Sequence, residues 1–320
     1  MIGAQGALGN VVAERFAAAG WTVHPAGRRP DRREGFRRLD LDRPETLSAA
    51  LKDVDLVVST VAHAGLSAER MVLARGGVLV NCSHAPTRAA VELTREAKEP
   101  KGTVLLNAGL VPGIANLVAA DLLEERPRAD CLEVAFTVFS EGTAGKAGGE
   151  FAHEGLTTRS HHRVVELPLP EPFGELACIE VFEGEDGGLG GVAGGRRVET
   201  YLGFADRSLN LGLRAANALR LMRLLPRAAF ATERGGKSGT SREPTAVWLG
   251  ARRGAERLGA SVIECEGDYR ATAAAARLFA QRLLTLNRPG CFNPEDLFAL
   301  SDLQVAAENG GIRIARLPVH

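Results

Sequence analysis

The chain has 320 residues, 45% of them hydrophobic and 24% charged, and its formal net charge is zero. That length accommodates two domains with proper cores, and the composition is that of a globular protein. The charge balance leaves no basic field for nucleic acid, and no apolar run reaches the roughly 18 residues of a membrane span.

The first element is Gly3-Ala4-Gln5-Gly6-Ala7-Leu8-Gly9, followed by an amphipathic run to Ala19 with Val11, Val12, Phe16 and Ala19 on one face. Glycines three apart before a helix predict a tight strand-to-helix turn. Its bare amides, with the helix dipole behind them, suit a pyrophosphate. Gly3, Gln5, Gly6, Ala7, Leu8 and Gly9 are therefore candidate cofactor-binding residues; the alternative is a glycine turn before any helix. Only Met1 and Ile2 precede the turn, whereas an ordinary strand has about five or six residues. The expectation is either a stunted first strand or a chain that begins late, at a cost in stability and with a loosened cofactor site. No charged-then-apolar leader pattern is expected.

Trp21-Thr22-Val23-His24 predicts a second strand ending at Gly27-Arg28-Arg29. An acid at that tip would hold the ribose 2′-hydroxyl of NAD, and none is present. Arg28 and Arg29 offer guanidinium forks suited to a 2′-phosphate, so the reading is NADP over NAD. The alternative is a solvated loop, as expected for Arg32 and Arg33. Phe36 to Leu41 predicts a third strand. Asp42 then either faces the adenine amino group or caps the helix opened by Pro44 and Glu45.

Val54 to Thr60 is apolar throughout, as buried parallel strands are, and Thr60, Val61, Ala62 and His63 at its end are expected on the nicotinamide side of the cofactor. Gly77 to Ser83 predicts a fifth strand, ending at Ser83 and His84, and Gly102 to Ala108 a sixth. Strands alternating with helices predict an α/β fold, a doubly wound parallel sheet of Rossmann type, over residues 1–115.

The pattern changes near Asn116. A helix (Leu117 to Glu125) is followed by strand candidates at Cys131–Phe139, His162–Leu167, Ala177–Phe182, Val198–Phe204, Thr245–Arg252 and Ala260–Cys265. They predict a second, α+β domain for substrate and dimerisation over 116–267. Within it, Gly142 to Glu150 reads as a loop, Gly184 to Gly195 as a mobile loop, and Arg207 to Leu225 as a helix. From Asp268 an alanine-rich helix, short helices around Asp296 and Leu303, and a strand at Ile312–Ile314 are expected to return to the first domain over 268–320. The five cysteines (Cys82, Cys131, Cys178, Cys265, Cys291) are scattered, which predicts reduced thiols in a cytoplasmic protein and no metal site. His161 and His162 are too close in sequence to face one way on a strand, and no third ligand has suitable spacing, so no zinc site is expected there.

Four stretches together resemble the saccharopine dehydrogenase-like oxidoreductases. They are Gly3 to Gly9; Leu79-Val80-Asn81-Cys82-Ser83 with Pro86; Ala108-Gly109-Leu110-Val111-Pro112-Gly113-Ile114; and a tail of Asp268-Tyr269-Arg270-Ala271-Thr272-Ala273, Gly290, Pro294-Glu295 and Gly311-Ile312. The resemblance implies a Rossmann domain, an α+β substrate domain and often a homodimer. Saccharopine-forming members carry an acid where this chain has Val111, an Asp-His-like pair where it has Ala115 and Asn116, and a tyrosine where it has His84. The implied activity is therefore hydride transfer with NADP, but not on saccharopine.

Such chemistry needs orientation, a proton donor and exclusion of water. His84, at the end of the fifth strand, is the best-placed donor, with a loop histidine bonded to backbone as the alternative; His63 has similar standing. Lys146 could grip a substrate carboxylate, with Glu150 or His153 nearby, or could be a solvated lysine. Three readings follow: an oxidoreductase acting on a small imine, keto or aldehyde compound, a non-catalytic NADP-binding or sensing protein, and an enzyme that uses the cofactor only transiently.

Overall fold

Apolar runs separated by glycine turns fold into a parallel sheet in the first third of the chain. The computed structural model describes residues 1–86, 88–138, 146–181, 188–227 and 243–318. Early strands are β1 (Ala26–Gly27), β2 (Arg37–Arg38), β3 (Leu56–Ser59), β4 (Val78–Asn81) and β5 (Thr103–Leu105). Ile2 is a single bridging residue between Ala26 of β1 and Ser59 of β3. The order is thus β2, β1, Ile2, β3, β4, β5, and the Gly290–Phe292 strand then pairs parallel to β5. That is the Rossmann order, with a strand from the tail added at one edge.

The first strand is reduced to one paired residue. The second is displaced from its expected position: residues 21–25 join no ladder, and pairing begins at Ala26. The reason is local, because a full strand at 21–24 requires a neighbour alongside it, and the first strand supplies only Met1 and Ile2. Leu47, Leu79, Val104 and Leu106 are fully buried in the core around this sheet.

Contacts group Met1–Leu117 with Tyr269–Gly311, and Val118–Asp268 with Ile312–His320. The alanine-rich helix (Asp268–Leu283) buries Ala273, Ala275, Ala276, Phe279 and Ala280. Tail and sheet are joined by Thr103 Oγ1 donating to Arg288 O (2.9 Å) and Asn107 Nδ2 donating to Asn293 Oδ1 (3.0 Å).

In the second unit are β6 (Cys131–Val138), β7 (Val164–Pro168), β8 (Glu175–Val181), β9 (Arg197–Phe204), β10 (Pro244–Arg253) and β11 (Glu256–Glu266). The sheet order is Ile312–Leu317, β11, β10, β6, β9, β8, β7, with β6 and β9 parallel and the other pairs antiparallel. The last strand therefore belongs to this sheet and not to the first domain, contrary to expectation. The long β11 offers a free edge on which all six of its residues pair.

Other expectations also shift. The Arg207 helix ends at Ala218, with a separate 3₁₀ turn at Met222–Leu224. Within the stretch expected to be a mobile loop, Gly190–Ala193 is a helical turn, and residues 182–187 lie outside the described residues. Lys146 opens a helix, Lys146–Thr157, instead of sitting in a loop, and 142–145 are again outside the described residues. Among the described residues no helix is long and apolar enough to cross a membrane.

Candidate functional site

The glycine turn is shaped by close packing at two of its three glycines. Gly3 has φ +80°, and a Cβ there would lie 2.5 Å from Val61 Cγ2 and 2.8 Å from Thr60 Oγ1. At Gly9 a Cβ would fall 2.0 Å from Gly3 O, so this glycine lets the helix start directly against the turn. Gly6 differs, because the nearest atom to a Cβ would be Gly3 O at 3.4 Å, an ordinary contact. The helix Ala7–Ala18 begins at Gly6 with no side-chain cap and no acid in its first turn. Its first amides are left for an anion.

The basic loop is tied to this turn by its neighbours. Gln5 Nε2 donates to Arg29 O (3.0 Å) and Asp31 Oδ2 (3.3 Å), while Arg33 Nη1 donates to Ala4 O (3.0 Å) and Arg33 Nε to Asp31 Oδ2 (2.9 Å). The Arg33 guanidinium, then its backbone N–H, hold the Asp31 carboxyl down at about 2. Arg33, expected on a solvated loop, is therefore a tether. Arg28 and Arg29 are exposed, and among the described residues neither guanidinium has a hydrogen-bond or ion-pair partner. Their fork donors remain for a ligand.

A cavity of about 470 Å³ opens at the carboxyl ends of these strands, lined in part by Gly3, Gln5, Gly6, Arg28, Arg29, Asp42, Val61 and Ala62. Its size is that of an ordinary small-molecule site. Leu39, Asp40, Leu41 and His63 complete its far wall. The sequence reading passed over the first three because only the fold brings the end of β2 across from the glycine turn. Asp42 does not cap the next helix, whose cap position is Arg43. It accepts from His63 Nε2 at 3.0 Å, while the buried His63 Nδ1 has no partner among the described residues.

The remaining candidates lie outside the cavity lining. Ala7, Leu8 and Gly9 are in the first helical turn. Thr60 Oγ1 donates to Ile2 O (3.3 Å). Ser83 donates from N (2.8 Å) and Oγ (2.5 Å) to Asn81 Oδ1, and Asn81 Nδ2 donates to Glu69 Oε1 (2.6 Å). Burial raises the Glu69 carboxyl above its ordinary range. His84 is exposed in the loop after β4, and its side chain has no hydrogen-bond partner among the described residues. That loop is pinned by Asn107, a residue the sequence reading overlooked. Its Oδ1 accepts from Ala85 N (2.8 Å) and its Nδ2 donates to Ala85 O (3.3 Å).

In the second unit, the Lys146 side chain lies outside the described residues. The ring nitrogens His153 Nε2, His161 Nδ1 and His162 Nε2 are hydrogen-bonded to the backbone oxygens of Leu225, Asn217 and Leu156.

Residues 1–98 match the model of the NAD dependent epimerase/dehydratase family. No curated protein sequence matches the chain. Among solved structures, homospermidine synthase from Legionella pneumophila, in complex with NAD, is 11% identical with a TM-score of 0.66, the match covering 99% of this chain and 90% of that one. Saccharopine dehydrogenase (L-Glu forming) from Saccharomyces cerevisiae is 13% identical with a TM-score of 0.53, covering 88% and 89%. At these identities the likeness shows the fold alone, a Rossmann-type α/β fold followed by a second sheet.

Proposed function

We propose that the chain is an NADP-dependent oxidoreductase that transfers hydride to or from a small imine, keto or aldehyde compound derived from an amino acid. The observation that carries the proposal is the pair of unengaged guanidinium groups, Arg28 and Arg29, on one cavity with an uncapped glycine turn. The turn fits a diphosphate, since Gly6 leaves its outer side open while Gly3 and Gly9 pack. The arginines fit a third phosphate on the adenosine ribose. When bound, the nicotinamide supplies the hydride chemistry.

This chain's own residues do the rest. Gln5 and Arg33 hold the basic loop against the turn, Val61 and Ala62 wall the cavity, and Ser83 is oriented by Asn81. His84 exchanges the proton with the substrate nitrogen or oxygen, and Lys146 holds a substrate carboxylate. Val111 supplies no acid for a cationic amino acid, which turns the substrate class away from saccharopine. The buried free cysteines support a reducing compartment, and the working form is a homodimer.

Titration of NADPH and NADH against the wild type and the Arg28→Glu/Arg29→Glu variant tests the cofactor assignment. Each lost charge-assisted contact is worth about 1.5–3 kcal/mol, so NADPH should weaken by roughly tenfold or more while NADH changes little. Equal weakening of both refutes the choice of NADP. The exposed, unpartnered His84 favours a second reading, a protein that binds NADP without turning it over. An imine and ketone panel separates the two: NADPH oxidation that falls in His84→Asn supports the enzyme, and tight binding with no turnover supports the alternative.

A further inference from the structure

The helix Arg207–Ala218 and the 3₁₀ turn Met222–Leu224 are held to the second unit by one face. Asp206 caps the helix, accepting from Ser208 N and Leu209 N, and Asn210, Leu213 and Asn217 are buried. Asn210 Nδ2 donates to Ala177 O (3.1 Å) and Phe204 O (3.2 Å). Asn217 Oδ1 accepts from His162 N (2.6 Å), and its Nδ2 donates to His162 O (2.9 Å). Leu213 and Met222 join a core with Leu156 and Leu202. These anchors stop the helix from rolling, so whatever stands on its outer face stays outside.

That outer face combines apolar and cationic groups. Four of the eight large apolar side chains exposed among the described residues lie between Leu211 and Leu224. Leu211, Leu219 and Leu224 are 67% to 75% exposed, with Leu221 also exposed. At about 3.6 residues per turn, Leu211, Ala215 and Ala218 stand opposite the buried Leu213. Residues 207–227 also contain five arginines and neither a lysine nor an acid, although the whole chain has a net charge of zero. All five are exposed. Arg214 pairs with Glu166 at 3.6 Å, and Arg223 Nη2 donates to Thr158 O (3.1 Å). The guanidinium groups of Arg207, Arg220 and Arg227 have no partner among the described residues.

Leucines clustered in water mark an interaction site, and the charge selects its partner. A second copy docking by the same face would set arginine against arginine. An acidic protein surface would have to match leucines and arginines at fixed, alternating places. A fluid headgroup layer supplies phosphate and apolar depth wherever each side chain stands. Arginine stems lie along such a boundary while their guanidinium forks take phosphate oxygens. We propose that the ridge from Arg207 to Arg227 seats on an anionic bilayer surface, its leucines entering the headgroup boundary and its arginines holding lipid phosphates. This is attachment and not a span, for a helix of 12 residues is too short to cross.

The test floats the full chain with vesicles of phosphatidylcholine alone and of phosphatidylcholine mixed with phosphatidylglycerol. No cofactor is added, so the outcome is independent of the proposed activity. The protein should bind the anionic vesicles and leave the neutral ones. Leu219→Ser/Leu224→Ser and Arg220→Gln/Arg227→Gln should each weaken that binding roughly tenfold or more. These side chains are exposed, so Tm should hold in both variants. No binding by the wild type, or equal binding to both vesicles, overturns the proposal whatever the variants do. Undiminished binding by the leucine variant makes the ridge a plain polyanion site and overturns it too. Two other occupants would do the same: self-association without vesicles that the leucine variant abolishes, or capture of a peptide alternating Leu and Glu by a chain that ignores vesicles.

Discussion

In the first unit the strands around the glycine-turn cavity are two to four residues long, whereas β6, β9, β10 and β11 of the second run eight to eleven. Polar groups follow that difference. Around the cavity they include tethers from side chain to backbone across short loops, such as Gln5 to Arg29 O and Arg33 to Ala4 O. In the second unit they meet in mid-sheet: Glu133, Glu199 and Arg252 are only 1%, 5% and 7% exposed. Arg252 donates to Glu133 Oε1 (3.2 Å) and Glu199 Oε1 (2.8 Å), Tyr201 donates to Glu199 Oε2 (2.6 Å), and Arg163 and Arg197 reach Glu199 from outside. Burial alone would raise the Glu199 carboxyl, yet these hydrogen bonds and charges bring it below its ordinary value. One unit has an open cavity at its strand ends, and the other links its strands through buried charge.

The sharpest way to break that comparison is Arg252→Ala. It leaves two adjacent carboxylates buried with less countercharge, and removing one partner of a buried pair costs about 3–5 kcal/mol. Denaturant unfolding should show that loss, and Glu133→Gln with Glu199→Gln in the same background should recover part of it. A loss below about 1 kcal/mol would mean that the outer arginines suffice and that the network does not fix the register.

Next in size is a contrast within the glycine turn. Gly9→Ala drives a Cβ into a backbone oxygen, an overpacking of about 1–3 kcal/mol, and should lower both Tm and nucleotide affinity. Gly6→Ala fits the protein, so stability should stay within about 0.5 kcal/mol while nucleotide binding weakens. The opposite pattern would assign the open side of the turn to Gly9.

The contrast between the units also marks what could be read from the sequence. The turn, the arginine pair and the alternation of strands and helices are written at short spacing, where steric and dipole rules act locally. Glu133, Glu199 and Arg252 lie up to 119 residues apart, and only the pairing of β6 with β9 and β10 brings them together. The same holds for Asn107 with Asn293, and for the last strand, whose six residues could pair at either sheet's edge. The second strand departs from its expected place because propensity at 21–24 is local, whereas pairing, which begins at Ala26, is set by the fold.

The smallest expected effect concerns Glu69, the carboxyl bonded to Asn81 at the end of β4. Glu69 is buried, accepts from Asn81, and has its pKa raised chiefly by that burial. A group whose folded pKa exceeds its unfolded value contributes fully below the unfolded value, about 4.3, and loses that contribution as pH rises through the folded one. Glu69→Gln keeps an acceptor for Asn81 and cannot ionise. The difference in Tm, variant minus wild type, should therefore grow more positive as pH rises from 4 to 8, and level off once the buried carboxyl has ionised. Asn81 Oδ1, which accepts from Ser83, is not the group bonded to Glu69, so nucleotide affinity should stay constant over the same range. A Tm difference independent of pH would mean that water reaches Glu69 and that burial does not set its protonation.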